Sequence, residues 1–286
     1  MKIVVTGGKG MLGRTLQKEL AGHEIVVADL PEWDITDDAG FMERLTAESP
    51  DVVIHCAAMT NVDDCETKRD LAFRLNEEGA RNVAMASKIA GARLIAISTD
   101  YVFSGDPPKE PWAWSETDIP RPRTVYGASK FAGEQMVQMI HPDKSVILRI
   151  AWLYGAGGPS FVHTMARLGA DGAAAPLKVV DDQRGNPTST AAVAGAIRFL
   201  LGRPDVSGIV HGTCEGQTTW YGLACELKRL LGDRFPRGIV PCTTEEFPRP
   251  APRPRNSALK KSVLNVLGYR TPTWQSALAD FVAGAW

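Results

Sequence analysis

Short apolar runs separated by amphipathic stretches dominate the first half of the chain. Ile3-Val4-Val5, Ile25 to Ala28, Val52-Val53-Ile54, Leu94 to Ile97 and Ser145 to Arg149 are too short for core helices and favour β-branched residues. That combination predicts buried strands. Between them, apolar positions recur at helical spacing. Met11, Leu12, Leu16 and Leu20 mark one helix, and Phe41 to Leu45 begins another that closes before Pro50. Leu71 to Ala90 reads as one long helix and Ser129 to Met139 as a further one. Strands alternating with helices in this way imply right-handed βαβ units and a parallel sheet covered on both faces.

The second half is less regular. Six prolines between Phe235 and Pro254 exclude a long helix there, and helical spacing returns from Trp274 to Val282. The expected fold class is therefore α/β: a Rossmann-type doubly wound parallel sheet over residues 1–150, followed by a smaller C-terminal substrate-binding domain over 151–286. A strand and helix near 178–202 are expected to return to the first domain.

Composition narrows the class. The 286 residues are 44% apolar and 23% charged, which excludes wholesale disorder. Lys plus Arg number 32 against 33 for Asp plus Glu, a net charge of -1 that argues against nucleic-acid or membrane partners. The five cysteines are odd in number and form no C-x-x-C pair, so neither a disulfide framework nor a zinc site is expected. The three apolar residues before Thr6 are too few for a signal-peptide core, and no apolar run reaches the ~18 residues of a membrane span. The expectation is a cytoplasmic protein.

Chemistry begins at Gly7-Gly8-Lys9-Gly10-Met11-Leu12-Gly13, which ends the first strand and opens the first helix. One glycine suits the tight turn, one the close approach of a pyrophosphate, and one the packing of helix on strand. The helix N-terminus then offers free N–H groups to the phosphates. A plain helix-capping turn is the alternative. Asp29 ends the second strand, where a carboxylate can accept from the adenosine ribose hydroxyls and repel a 2′-phosphate. A surface turn acid is the other reading. Lys9 can offset the repulsion, so NADH is favoured and NADPH stays open.

Tyr126 and Lys130 stand at i and i+4, on one face if the segment is helical. A lysine ammonium there favours the phenolate and lowers the tyrosine pKa, which suits proton transfer to a developing alkoxide. Thr99, at a predicted strand end, can hydrogen-bond the same oxygen.

These features together resemble the extended short-chain dehydrogenase/reductases. Within them, Ser98 to Phe103, Tyr126 to Lys130 with Gly133-Glu134, Arg149 to Gly155, Asp181 to Thr188 and Arg253 to Ser257 resemble the dTDP-4-dehydrorhamnose reductases. Pro50 to Ala58, Thr60 and Asp63 extend the match over almost the whole chain. The resemblance implies NAD(P)H-dependent reduction of a 4-keto sugar on a dTDP carrier. Tyr126 would be the proton donor, Lys130 its tuner and a cofactor-ribose ligand, and Thr99 the group aligning the ketone. Gly7, Gly10, Met11, Leu12, Gly13, Asp29, Asp34, Ile35, Ala57, Ala58 and Thr60 would line the dinucleotide. Thr99, Asp100, Tyr126, Trp152 and Arg253 would meet the sugar nucleotide. From position alone, Trp152 reads equally as a core aromatic. Arg249, Arg253 and Arg255 read equally as a diphosphate grip and as a solvated basic face.

Departures matter too. Ser160 stands where the family often has Asn. Some members hold Mg²⁺ between subunits through glutamates, and the matching positions here are Thr15 and Ala191. No metal site is expected, and the chain is expected to be a monomer or weak homodimer. His55 and His163 read as core or loop residues, and adjacent Asp181 and Asp182 are expected to face opposite ways. Two rivals have distinct signatures. Another nucleotide-sugar ketoreductase or an epimerase would differ in product or in cofactor consumption. A non-catalytic protein like the regulatory β subunit of methionine adenosyltransferase would show no turnover.

Overall fold

Five of the six strands of the large sheet lie on the five apolar runs. The computed structural model describes residues 1–106, 112–172 and 174–285. The first half runs β1 (Lys2–Thr6), α1 (Met11–Glu19), β2 (Glu24–Ala28), α2 (Asp38–Glu48), β3 (Val52–His55), α3 (Val62–Thr67), α4 (Arg69–Phe73), α5 (Gly79–Ile89), β4 (Arg93–Thr99), α6 (Val125–Ile140) and β5 (Ser145–Ile150). The second half runs β6 (Leu153–Tyr154), α7 (Phe161–Gly169), β7 (Leu177–Val180), β8 (Arg184–Gly185), β9 (Thr188–Ser189), α8 (Thr190–Leu201), β10 (Gly208–His211), β11 (Thr218–Thr219), α9 (Trp220–Leu231), β12 (Ile239–Cys242), α10 (Ser262–Val266) and α11 (Trp274–Ala285).

The large sheet has the order β10-β5-β4-β3-β1-β2, with every pairing parallel. Successive strand side chains point to opposite faces, so each strand feeds two cores. Ile3, Val5, Ile54 and Val146 pack with Leu12 and Leu16 of α1 and Val193 and Ile197 of α8. Val4, Val53 and Leu94 pack with Phe41 and Leu45 of α2, Val83 of α5 and Val137 of α6. From β1 the chain passes to β2 on one side and then to β3 on the other. The strand order therefore reverses between β1 and β3, which opens a crevice beyond their C-terminal ends.

Two expectations are corrected. The long helix expected over Leu71 to Ala90 is interrupted by a π-helical turn at Arg74–Glu78. Within that turn the Asn76 side-chain amide accepts from Met59 N–H and donates to Met59 O and Ser129 Oγ. The strand near 178 does not rejoin the large sheet. β7 pairs with β12, and the sixth strand is β10, paired with β5. Helix α8 of the same segment does pack on α1. A third core, with Tyr154, Val162, Val179, Leu223, Leu227, Phe235 and Leu278, underlies the C-terminal half. Helix α6 begins before the predicted Ser129, because Thr124 caps it by accepting from Gly127 N–H.

Candidate active site

The glycine turn lies at the crevice. Gly7 holds φ +65°, and a Cβ there would stand 2.7 Å from Ala57 N, so β1 and β3 approach only through a glycine. Gly13 is packed as closely, with a Cβ position 2.5 Å from Gly7 O. Gly10 caps α1 without any side-chain hydrogen bond, which leaves first-turn N–H groups for an anion. This turn fits a dinucleotide pyrophosphate. Met11 lies against Gly158, whereas the Leu12 side chain is in the core. Ala57 N–H donates to Thr6 Oγ1 at 3.3 Å. Ala58 is half-buried and Thr60 exposed, on either side of the Met59 held by Asn76.

The other predicted cofactor residues divide. Asp29 accepts from Lys9 N–H at 2.8 Å and Leu30 N–H at 2.9 Å, so its carboxylate sits at the mouth of the glycine turn. Lys9 Nζ donates to Leu30 O at 2.6 Å. Asp34 turns back on Thr36, accepting from its N–H and O–H. The Ile35 side chain is buried in the core against Gly79.

Thr99, Tyr126 and Lys130 converge at the end of β4. The Thr99 hydroxyl stands close enough to the Tyr126 phenol to favour its ionised form. Thr99 Oγ1 also donates to Asp100 at 3.1 Å and accepts from Tyr101 N–H at 3.2 Å. Tyr101 meets the Tyr126 ring edge-on, with centroids 5.6 Å apart. Gly127 lets α6 approach, since a Cβ there would overlap Tyr101 O. Lys130 is buried and donates to Ile97 O at 2.8 Å.

The electrostatics correct one expectation. Burial pushes the Tyr126 phenol above its ordinary value, and the Thr99 hydroxyl only opposes the rise. Lys130 does not produce the lowered phenol pKa expected of it. Burial pulls its own ammonium down to about 8, although Glu134 favours the charge. Below it, buried Glu134 accepts from Arg149 at 2.6 and 2.8 Å and from Ser98 Oγ at 2.5 Å. Asp100 is pushed up to about 6 by burial.

The residues predicted for the sugar side lie on the C-terminal half. Trp152 follows β5 and stacks on Trp220, with ring centroids 3.5 Å apart. Arg253 does not extend free. It donates to Asp63 at 2.9 Å, and Arg249 donates to the same carboxylate at 2.6 and 3.0 Å. Burial raises Asp63, but Ala251 N–H and the two guanidiniums outweigh it and hold the acid below its usual range. Ser160 caps α7, accepting from His163 N–H. Asp181 and Asp182 do diverge, to Thr219 and to Thr244. Among the described residues no group of three or more His, Cys, Asp or Glu could hold a metal ion. No helix among them is long and apolar enough to cross a membrane. Asn76, Gln183 and Trp220 were not singled out from the sequence for individual roles. Asn76 read as an ordinary member of a helix, Trp220 was given no reading, and Gln183 stood only within the Asp181 to Thr188 motif.

Comparison with known proteins shows which family the chain resembles. The family described as "RmlD substrate binding domain" matches residues 1–285. A dTDP-4-dehydrorhamnose reductase of Streptomyces griseus is 42% identical over 284 residues, covering 97% of this chain and 91% of that protein. A probable dTDP-4,6-dihydroxy-2-methyloxan-3-one 4-ketoreductase of Streptomyces antibioticus is 42% identical over 284 residues, covering 98% and 94%. The crystal structure of a Bacillus anthracis dTDP-4-dehydrorhamnose reductase in complex with NADP superposes with a TM-score of 0.93 at 38% identity, covering 100% of this chain and 99% of that one.

Proposed function

The chain belongs to the RmlD substrate binding domain family, and from that membership we propose that it reduces the 4-keto group of dTDP-4-dehydro-L-rhamnose, giving dTDP-L-rhamnose, with NADH or NADPH. The observation that carries the reading is the meeting of Thr99, Tyr126 and buried Lys130 at the C-terminal end of β4, the same end of the parallel sheet at which β1 runs into the glycine turn. When bound, the nicotinamide supplies the hydride. Tyr126 delivers the proton to the ketone oxygen, and its raised pKa keeps it in the protonated form that a reduction requires. Thr99 holds the same oxygen by its hydroxyl. Lys130, held in place by Ile97 O, reaches the cofactor ribose. The N–H groups of the α1 first turn take the pyrophosphate, and Asp29 at the turn favours NADH. Trp152 walls the sugar ring, and Arg253 reaches the diphosphate by exchanging Asp63 for it.

We place the enzyme in the cytoplasm as a monomer or weak homodimer without metal. The five cysteines are free, which suits a reducing compartment. Thr15 spends its hydroxyl on Met11 O and Thr190. A reductase for a related dTDP-4-keto sugar is the second reading, favoured by the equally similar Streptomyces antibioticus protein. The deciding experiment mixes the protein with NADH or NADPH and dTDP-4-dehydro-L-rhamnose and follows cofactor absorbance and product. Oxidation matched by dTDP-L-rhamnose is expected. Turnover only on a related dTDP-4-keto sugar selects the second reading, and cofactor binding without turnover on either sugar rejects both.

A further inference from the structure

The run Asp181-Asp182-Gln183-Arg184-Gly185 supplies no group to the reaction, yet its members converge on one aromatic pair. Trp152 and Trp220 lie parallel, 4° apart in plane. Trp152 holds φ +47°, a left-handed backbone state that persists only where its surroundings impose it.

The surroundings form two chains of hydrogen bonds. Asp182 accepts the Thr244 N–H at 3.0 Å and the Thr244 O–H at 2.6 Å. With that proton committed, Thr244 Oγ1 accepts from Gln183 Nε2 at 2.9 Å. The Gln183 amide can then point only one way, and its Oε1 accepts the Trp220 indole N–H at 3.0 Å. On the other side, Asp181 accepts the Thr219 O–H at 2.5 Å. Thr219 caps α9 by accepting from Gly222 N–H at 3.0 Å, and Trp220 is the first residue of that helix. Gly185 completes the frame, because a Cβ there would overlap the Trp152 ring.

We propose that Asp181, Asp182 and Gln183 are positioning residues for sugar recognition: through Thr219, Thr244 and Trp220 they hold Trp152 as a rigid wall for the deoxyhexose ring of a nucleotide sugar. This rests on the reading of Trp152 as the sugar wall. A wall ordered before binding spares the entropy of ordering it afterwards. The sugar meets it in both ground and transition states. Its loss therefore raises the KM for the sugar and leaves kcat and the cofactor KM in place.

The test compares Gln183→Leu, Trp220→Leu, Trp220→Phe and Trp152→Leu in steady-state kinetics and far-UV circular dichroism, where two stacked indoles give an exciton couplet. Gln183→Leu and Trp220→Leu are expected to raise the sugar KM about tenfold at unchanged cofactor KM and to weaken or abolish the couplet. Trp220→Phe, which keeps a ring on Trp152, is expected to recover most of the lost sugar affinity. If Trp152→Leu raises the sugar KM while the Gln183 and Trp220 variants do not, the positioning role is overturned and the sugar wall stands. If none of them moves the sugar KM, the wall itself is wrong and the proposal falls with it.

Discussion

Tyr126 is placed so that the Thr99 hydroxyl acts on its phenol and Lys130 follows one turn along α6. On the proposed mechanism, removing the phenol oxygen deletes the proton donor but leaves the glycine turn intact. Tyr126→Phe is therefore expected to lower kcat by about 10²–10⁴-fold while NADH and NADPH still bind with near-parental Kd by fluorescence titration. Turnover close to the parent's would remove Tyr126 from the donor role. Asp29 makes a separate prediction, because its carboxylate stands at the turn where a 2′-phosphate would crowd it. Asp29→Ala is expected to shift the ratio of kcat/KM severalfold toward NADPH, and an unchanged ratio would take Asp29 out of the ribose site. That Thr99, Tyr126 and Lys130 meet at one place was legible from spacing and from order along the chain. The direction of the Tyr126 shift was not. It depends on how far the phenol is removed from water, and on an ammonium whose own charge burial weakens.

Helix α6 carries two of the three triad residues, so its seating decides the site. Gly127 admits it to the Asp100–Val102 turn, and Gly133 admits it to the π turn at Arg74–Glu78, where a Cβ would overlap Asn76 O. Gly133→Ala is expected to cost ~1–3 kcal/mol through overpacking, read as a lower urea midpoint at constant m. An unmoved midpoint would mean that the two elements separate freely. The apolar period across Leu71 to Ala90 gave a helix, and a helix is present on both sides of the interruption. The π turn was invisible because one residue added to a single turn barely shifts the apolar period, and the Asn76 side chain that it carries meets partners distant in sequence, Met59 and Ser129. Sheet membership was hidden for a similar reason. Leu177–Val180 and Gly208–His211 are equally short apolar runs, and the path of the chain, not local pattern, brings the second beside β5.

Across the whole molecule, the large sheet buries two histidines at strand ends, His55 on β3 and His211 on β10. Burial, with Lys130 adding repulsion, lowers His55 to about 3, and His55 Nδ1 is paired with Thr6 Oγ1 at 2.7 Å. Burial likewise lowers His211 to about 3, Arg149 adding repulsion, while its Nδ1 meets Lys260 O at 3.0 Å. Both folded values lie below the ordinary 6.5, so between 6.5 and about 3 the unfolded chain binds more protons than the native one. Their contribution is complete above 6.5 and is lost as the pH falls toward 3. Asp100 acts in the opposite sense. Its folded value of about 6 exceeds its ordinary 3.8, so acidification through that window favours the native state. Two histidines against one aspartate leave a net loss of stability in acid. Thermal unfolding is therefore expected at progressively lower Tm from neutral pH to about 4.5. His211→Asn has no imidazole to charge, so its Tm should start below the parent's and fall less steeply over that range. Parallel Tm curves for the variant and the parent would show that His211 is not one of the groups through which acid unfolds the sheet.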